Sequence, residues 1–130
     1  MNFPEDLKYT KHDEWIRVEN GGATVGITDY AQDQLSDIVY LELSVSVGDA
    51  ISRGGELGQI ESVKAAAEIY VPVDGQVSQI NTGIVDEPEI INSDPYGEGW
   101  LVKLDIQDAT QLNDLMDAAA YAKYCDDREH

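Results

Sequence analysis

The chain has 130 residues, 42% of them hydrophobic, and sets eight Lys and Arg against 26 Asp and Glu for a formal net charge of −18. That length suits a single domain spanning 1–130, and that hydrophobic share excludes wholesale disorder. The charge repels phosphate backbones and anionic lipid, so it argues against nucleic-acid and membrane partners.

From the N-terminus, MNFPEDLKYT lacks the basic-then-apolar pattern of a secretory signal. No later apolar run approaches the roughly 20 residues of a membrane span. Trp15-Ile16-Arg17-Val18 leads into Asn20-Gly21-Gly22, after which Ala23, Val25 and Ile27 alternate. Asn and Gly accept the positive φ angles of a tight turn, so this segment reads as a β-hairpin. Thr28 or Asp29 can cap a short helix near 28–35, because a side-chain oxygen there satisfies free backbone amides. Alternation returns at Val39, Leu41 and Leu43, at Ile69, Val71 and Val73, and at Val102, Leu104 and Ile106. Period two over such short stretches predicts half-buried strands. Gly48-Asp49, Gly54-Gly55, Asp74-Gly75 and Asp94-Pro95-Tyr96-Gly97 punctuate them as turns. Thr110 is placed to cap a C-terminal helix near 110–124, with Leu112, Leu115, Met116, Ala119 and Ala120 on one face. The tail from Asp126 to His130 is expected to fray. The fold expected is mainly β, a sandwich or barrel of antiparallel strands.

Few residues suit conventional catalysis. His12 and His130 are the two histidines, one near each end, and neither a P-loop nor a dinucleotide glycine fingerprint is present. No calcium-loop pattern occurs among the acids, and the lone Cys125 excludes an intrachain disulfide and a Cys-based zinc site. The informative residue is Lys64, the one basic residue between Arg53 and Lys103. It sits midway between two expected strands, Leu57 to Val63 and Ala66 to Val73. If these fold back at Lys64-Ala65, Glu61 faces Glu68 and the lysine projects from the tip. Two readings follow. One is an exposed lysine that softens two opposed carboxylates, a small effect. The other is a modification site, since Ser62, Val63, Ala65, Ala66 and Ala67 leave the amine sterically open to acylation.

Glu61-Ser62-Val63-Lys64-Ala65, followed by Ile69-Tyr70-Val71-Pro72-Val73-Asp74-Gly75, resembles the lipoyl-lysine hairpin of the glycine cleavage H-protein family. Tyr9-Thr10 with Glu14-Trp15, Gly26 to Gln32, and Asn92 to Trp100 resemble the same family in the same order. Glu61 three residues before the lysine and Gly75 eleven after it also resemble lipoyl domains in general. The resemblance implies a barrel-sandwich hybrid of lipoyl/biotinyl type and a carrier without catalysis of its own. Lipoate would be held covalently on Lys64. The arm would visit a pyridoxal-phosphate glycine decarboxylase, a tetrahydrofolate-dependent aminomethyltransferase and a flavin-dependent dihydrolipoamide dehydrogenase, after loading by a lipoate-attaching enzyme. It would shuttle an aminomethyl group and electrons among them; an alternative is an H-like protein that stores or donates lipoate. Glu14, just before the first strand, and Glu68 are the acids expected to dock the loaded arm, with Glu61 and Gly75 in recognition. A cytoplasmic monomer is expected, with no metal. Ala67, Glu68, Asp13 and Gln34 depart from residues commoner in that family.

Overall fold

The computed structural model describes residues 1–128. Two antiparallel sheets face each other across the main core. In spatial order the larger consists of β1 (Lys8–Tyr9), β2 (Glu14–Glu19), β3 (Gly22–Ile27), β9 (Val102–Ile106), β8 (Gly75–Ile80) and β5 (Ala50–Ile51). The smaller runs β4 (Ile38–Leu43), β6 (Glu56–Ser62) and β7 (Ala66–Tyr70). Neither sheet closes into a barrel; the fold is mainly β with few short helices. Asn20 and Gly21 take φ of 50° and 81°, the two consecutive left-handed residues that the β2–β3 hairpin needs.

Between the sheets, Ile16, Val25, Leu41, Leu57, Ile60, Ile69, Val77 and Leu104 are buried together. Each such side chain stabilises the fold by about 1.5–3 kcal/mol relative to exposure. A second cluster, rich in aromatics, gathers Leu7, Tyr9, Trp15, Tyr30, Ala118, Tyr121 and Cys125. Gly26 is essential to it. The Trp15 ring lies where a Cβ on Gly26 would come within 2.6 Å, so only glycine admits the indole there.

Helix α1 (Asp29–Leu35) matches its expected position, and Thr28 caps it by accepting a hydrogen bond from the Ala31 amide at 3.1 Å. Two further short helices lie where the sequence pattern assigned no element, α2 (Thr82–Asp86) and α3 (Ile90–Ser93).

The C-terminal helix over 110–124 is corrected. Residues Ala109–Asp114 form a 3₁₀ helix capped by Asp108 rather than Thr110, and α4 spans Ala118–Arg128. Between them Met116 exchanges two backbone hydrogen bonds with Tyr9, at 2.8 and 2.9 Å, which holds the chain extended. The apolar residues that suggested one stripe serve two cores instead. Leu112 and Leu115 pack on the main core and Met116 against the aromatic one, while Ala119 and Ala120 are exposed; Ala118, Tyr121 and Cys125 form the buried face of α4 in their place. Asp126, Asp127 and Arg128 are helical rather than frayed; Glu129 and His130 fall outside the described residues. Among the described residues no helix is long and apolar enough to cross a membrane.

Candidate functional site

The β6–β7 hairpin carries Lys64 at its tip, exposed. Strand pairing matches Glu61 with Ala66 and Gln59 with Glu68, so the expected facing of Glu61 and Glu68 is overturned. The turn occupies Val63 and Lys64, one residue earlier than the sequence pattern suggested. Neither takes a positive φ, which is why no Asn-Gly pair is needed. Ser62 closes the turn instead. Its amide donates to the Ala65 carbonyl at 2.8 Å, and its Oγ accepts from the amides of Ala65 at 3.0 Å and Lys64 at 3.3 Å. The Val63 amide donates to the Asp37 carbonyl at 3.0 Å, tying the tip to the segment before β4. Backbone and a serine hydroxyl hold the tip, leaving the lysine side chain out of the scaffold.

Beside the hairpin lies a cleft of about 170 Å³ floored by Ile27, Ala31, Leu35, Ile60, Ala67 and Ile69. His12, Asp13, Glu14, Gln34 and Glu68 form its polar part. Glu14 and Glu68, distant in sequence, therefore meet at one cleft. Glu14 is the first residue of β2 rather than preceding the first strand, and it is only 1% exposed. Its Oε1 accepts from the Thr10 hydroxyl at 2.6 Å and its Oε2 from the Tyr70 amide at 3.1 Å. Burial pushes the carboxyl above its ordinary pKa, against the opposing pull of those two hydrogen bonds and of His12. Glu68 is exposed, and its Oε2 accepts from the Tyr70 hydroxyl at 2.7 Å.

The other two sequence candidates lie apart from the cleft lining. Glu61 stands exposed on β6, paired with Tyr40 on one side and Ala66 on the other. Gly75 opens β8 in the opposite sheet, where a Cβ would come within 2.6 Å of the Asp105 carbonyl. Its position is explained by close approach of strands.

Sequence reading missed the support around Glu14. The Thr10 hydroxyl oxygen accepts from the amides of Glu14 at 3.1 Å and His12 at 3.2 Å, shaping the β1–β2 connection. Asp13, at φ 70°, accepts from the Tyr121 hydroxyl at 2.8 Å, and Tyr121 shares a 2.6 Å hydrogen bond with Thr28. Arg128 donates to both Asp13 oxygens, at 2.7 and 3.2 Å. Tyr9-Thr10 beside Glu14-Trp15 was visible as a motif, but nothing local linked it to α4. No group of three or more His, Cys, Asp or Glu fit to hold a metal occurs among the described residues.

Residues 7–128 match the family model described as Glycine cleavage H-protein. The chain is 46% identical over 129 residues to the glycine cleavage system H protein of Anaeromyxobacter sp. (strain K), covering 99% of this chain and 100% of that one. Against the glycine cleavage system H protein of Bacteroides thetaiotaomicron it is 49% identical over 121 residues, covering 93% and 95%. The crystal structure of a glycine cleavage system H protein from Mycobacterium marinum superposes with a TM-score of 0.82 at 35% identity, covering 93% of this chain and 97% of that one.

Proposed function

The chain belongs to the glycine cleavage H-protein family, and from that membership we propose that it is the lipoyl carrier of glycine cleavage, with lipoate in amide linkage to Lys64. The observation that carries this reading is an exposed lysine on a serine-closed turn beside a cleft with an apolar floor and a buried acid. Those residues fit the group. Exposed Ala65, Ala66 and Ala67 leave room around the amine, and the floor from Ile27 to Ile69 suits an aliphatic arm. Acylation joins the deprotonated Nζ to the carbonyl of an activated donor such as an acyl adenylate. The N–C bond forms, the mixed-anhydride C–O bond breaks with the nucleoside monophosphate leaving on its oxygen, the nitrogen gives up one proton to solvent and no change of oxidation state occurs.

When bound, lipoate supplies a dithiolane that takes up a one-carbon amine unit on one sulfur as it is reduced, and gives up two electrons on reoxidation. This chain's residues then position and shelter the arm. Glu14 and Glu68 offer carboxylates to a cationic amine, and a charge-assisted contact of about 1.5–3 kcal/mol holds the arm in place most of the time. The partners are a glycine decarboxylase, an aminomethyltransferase and a dihydrolipoamide dehydrogenase, and a lipoate-attaching enzyme loads the arm. Tethering makes each transfer depend on docking rather than on free lipoate concentration.

Intact mass and peptide mapping after exposure to a lipoate-attaching enzyme test the site. One lipoyl increment on the Lys64 peptide, absent from Lys64→Arg, is the expected result; modification elsewhere overturns it. Reconstituted glycine decarboxylation with the loaded chain then tests the carrier role.

A further inference from the structure

Strand β4 breaks its alternation beside the Lys64 turn. Ile38 pairs with Ser62 and Tyr40 with Glu61, so Val39 is an inserted bulge residue with no partner. Such a bulge turns two consecutive side chains to one face. Here Ile38 and Leu41 point into the core, while Val39 and Tyr40 both point out, 57% and 45% exposed. Val63, two residues after Glu61, stands 67% exposed, with its amide held by Asp37. The Ile38–Ser62 pairing and the Asp37–Val63 hydrogen bond bring these three exposed residues to the end of the hairpin that carries the lysine, with the Tyr40 hydroxyl donating to Glu42 at 2.7 Å. Asp37, Glu42 and Glu61 flank them, and Lys64 is the one basic residue on β4, β6, β7 and the turn.

We propose that Val39, Tyr40 and Val63 form the docking patch for the enzyme that acylates Lys64, whose complementary surface is an apolar contact rimmed by basic side chains. The proposal rests on the reading of Lys64 as the acylated residue. An enzyme acting on Nζ must cover the turn, and these side chains are what it then buries. The bulge is the device that supplies them, since regular pairing would direct one of the two neighbouring β4 side chains inward. The acidic rim selects a cationic partner and speeds encounter, while the apolar centre holds the complex.

The test measures acylation of the apo chain by a lipoate-attaching enzyme with ATP and free lipoate, for wild type, Val39→Ser, Val63→Ser, the double variant, Glu61→Gln and the control Val18→Ser on β2. Thermal melts verify folding of each. Each patch valine is expected to raise KM about tenfold with kcat nearly unchanged, corresponding to loss of one buried valine. That effect should persist at high salt, whereas the Glu61→Gln effect should shrink as screening grows. Binding is read separately. Lys64→Arg, which keeps the patch, should compete with the wild-type chain, and the same variant carrying Val39→Ser and Val63→Ser should compete about a hundredfold less well. Normal KM for the folded double variant, or a change in kcat alone, overturns the patch while leaving acylation of Lys64 intact. A wild-type chain that is not acylated at Lys64 overturns the reading beneath it.

Discussion

At the scale of single residues, Glu14 carries a tension that Glu68 does not. It is buried with two hydrogen-bond donors, and burial still raises its pKa. A carboxyl whose folded-state pKa exceeds its unfolded value binds its proton more tightly in the native chain. Its contribution to stability is therefore full below the unfolded pKa and declines as pH rises through the folded one. Replacing it with Gln, which does not titrate, removes that dependence. Urea denaturation of wild type and Glu14→Gln from about pH 4 to pH 7 should show wild type losing ground to the variant as pH rises. A gap that moves the other way would mean that hydrogen bonding outweighs burial. The same residue should protect a loaded arm. Glu14→Ala should speed loss of ammonia from the isolated loaded chain without altering acylation of Lys64, as followed by mass and ammonia assay. Equal rates in wild type and the Glu14→Ala, Glu68→Ala double variant would exclude that role.

Among the elements, α4 and the hairpin use opposite strategies. The helix is anchored by polar contacts at long sequence range. Arg128 forks onto Asp13, stacks 4.3 Å over both Tyr30 and Tyr124, and so closes the aromatic cluster. Asp13 is in turn the acceptor for buried Tyr121. Asp13→Ala should cost about 2 kcal/mol, because it removes the forked pair to Arg128 and one of the two hydrogen bonds of buried Tyr121, the one to Thr28 remaining. A double-mutant cycle with Arg128→Ala should show coupling of about 1 kcal/mol. Additive losses in urea denaturation would indicate that the two act independently. The hairpin tip, by contrast, relies on local bonds from Ser62. Ser62→Ala should hasten hydrogen exchange at the Lys64 and Ala65 amides while costing less than about 1 kcal/mol of global stability.

Over the whole molecule, the net charge of −18 acts on folding and encounter with opposite sign. Like charges repel within the compact state, and the four salt bridges among the described residues are solvent-accessible to differing degrees and contribute modestly. Sodium chloride should therefore raise the melting temperature of the isolated chain as the screening length falls toward about 10 Å at 0.1 M. The same salt should slow turnover with partners, because an acidic surface finds basic entrances through long-range attraction. A melting temperature that falls with salt, or turnover indifferent to it with partners confirmed stable, would contradict this assignment of the charge.

What the amino-acid order determined alone is whatever depends on near neighbours. The Asn20-Gly21 turn, the Thr28 cap, the alternating strands and the isolation of Lys64 between β6 and β7 all arise from local backbone preference and period-two burial, which need no knowledge of the remaining chain. Family membership was legible for the same reason, since its motifs are contiguous. Only the tertiary structure decided the rest. Pairing with β4 and the turn at Ser62 set the register that put Glu61 against Ala66. The Tyr9–Met116 bridge broke an apolar stripe into two elements, because two cores competed for its residues. Glu14 was expected only as an arm-docking acid ahead of the first strand, yet packing around Thr10 and Tyr70 buried it inside β2, and Arg128 reached Asp13 across 115 positions. These outcomes depend on contacts between segments remote in sequence, whose energies outweigh local propensity once the sheets meet.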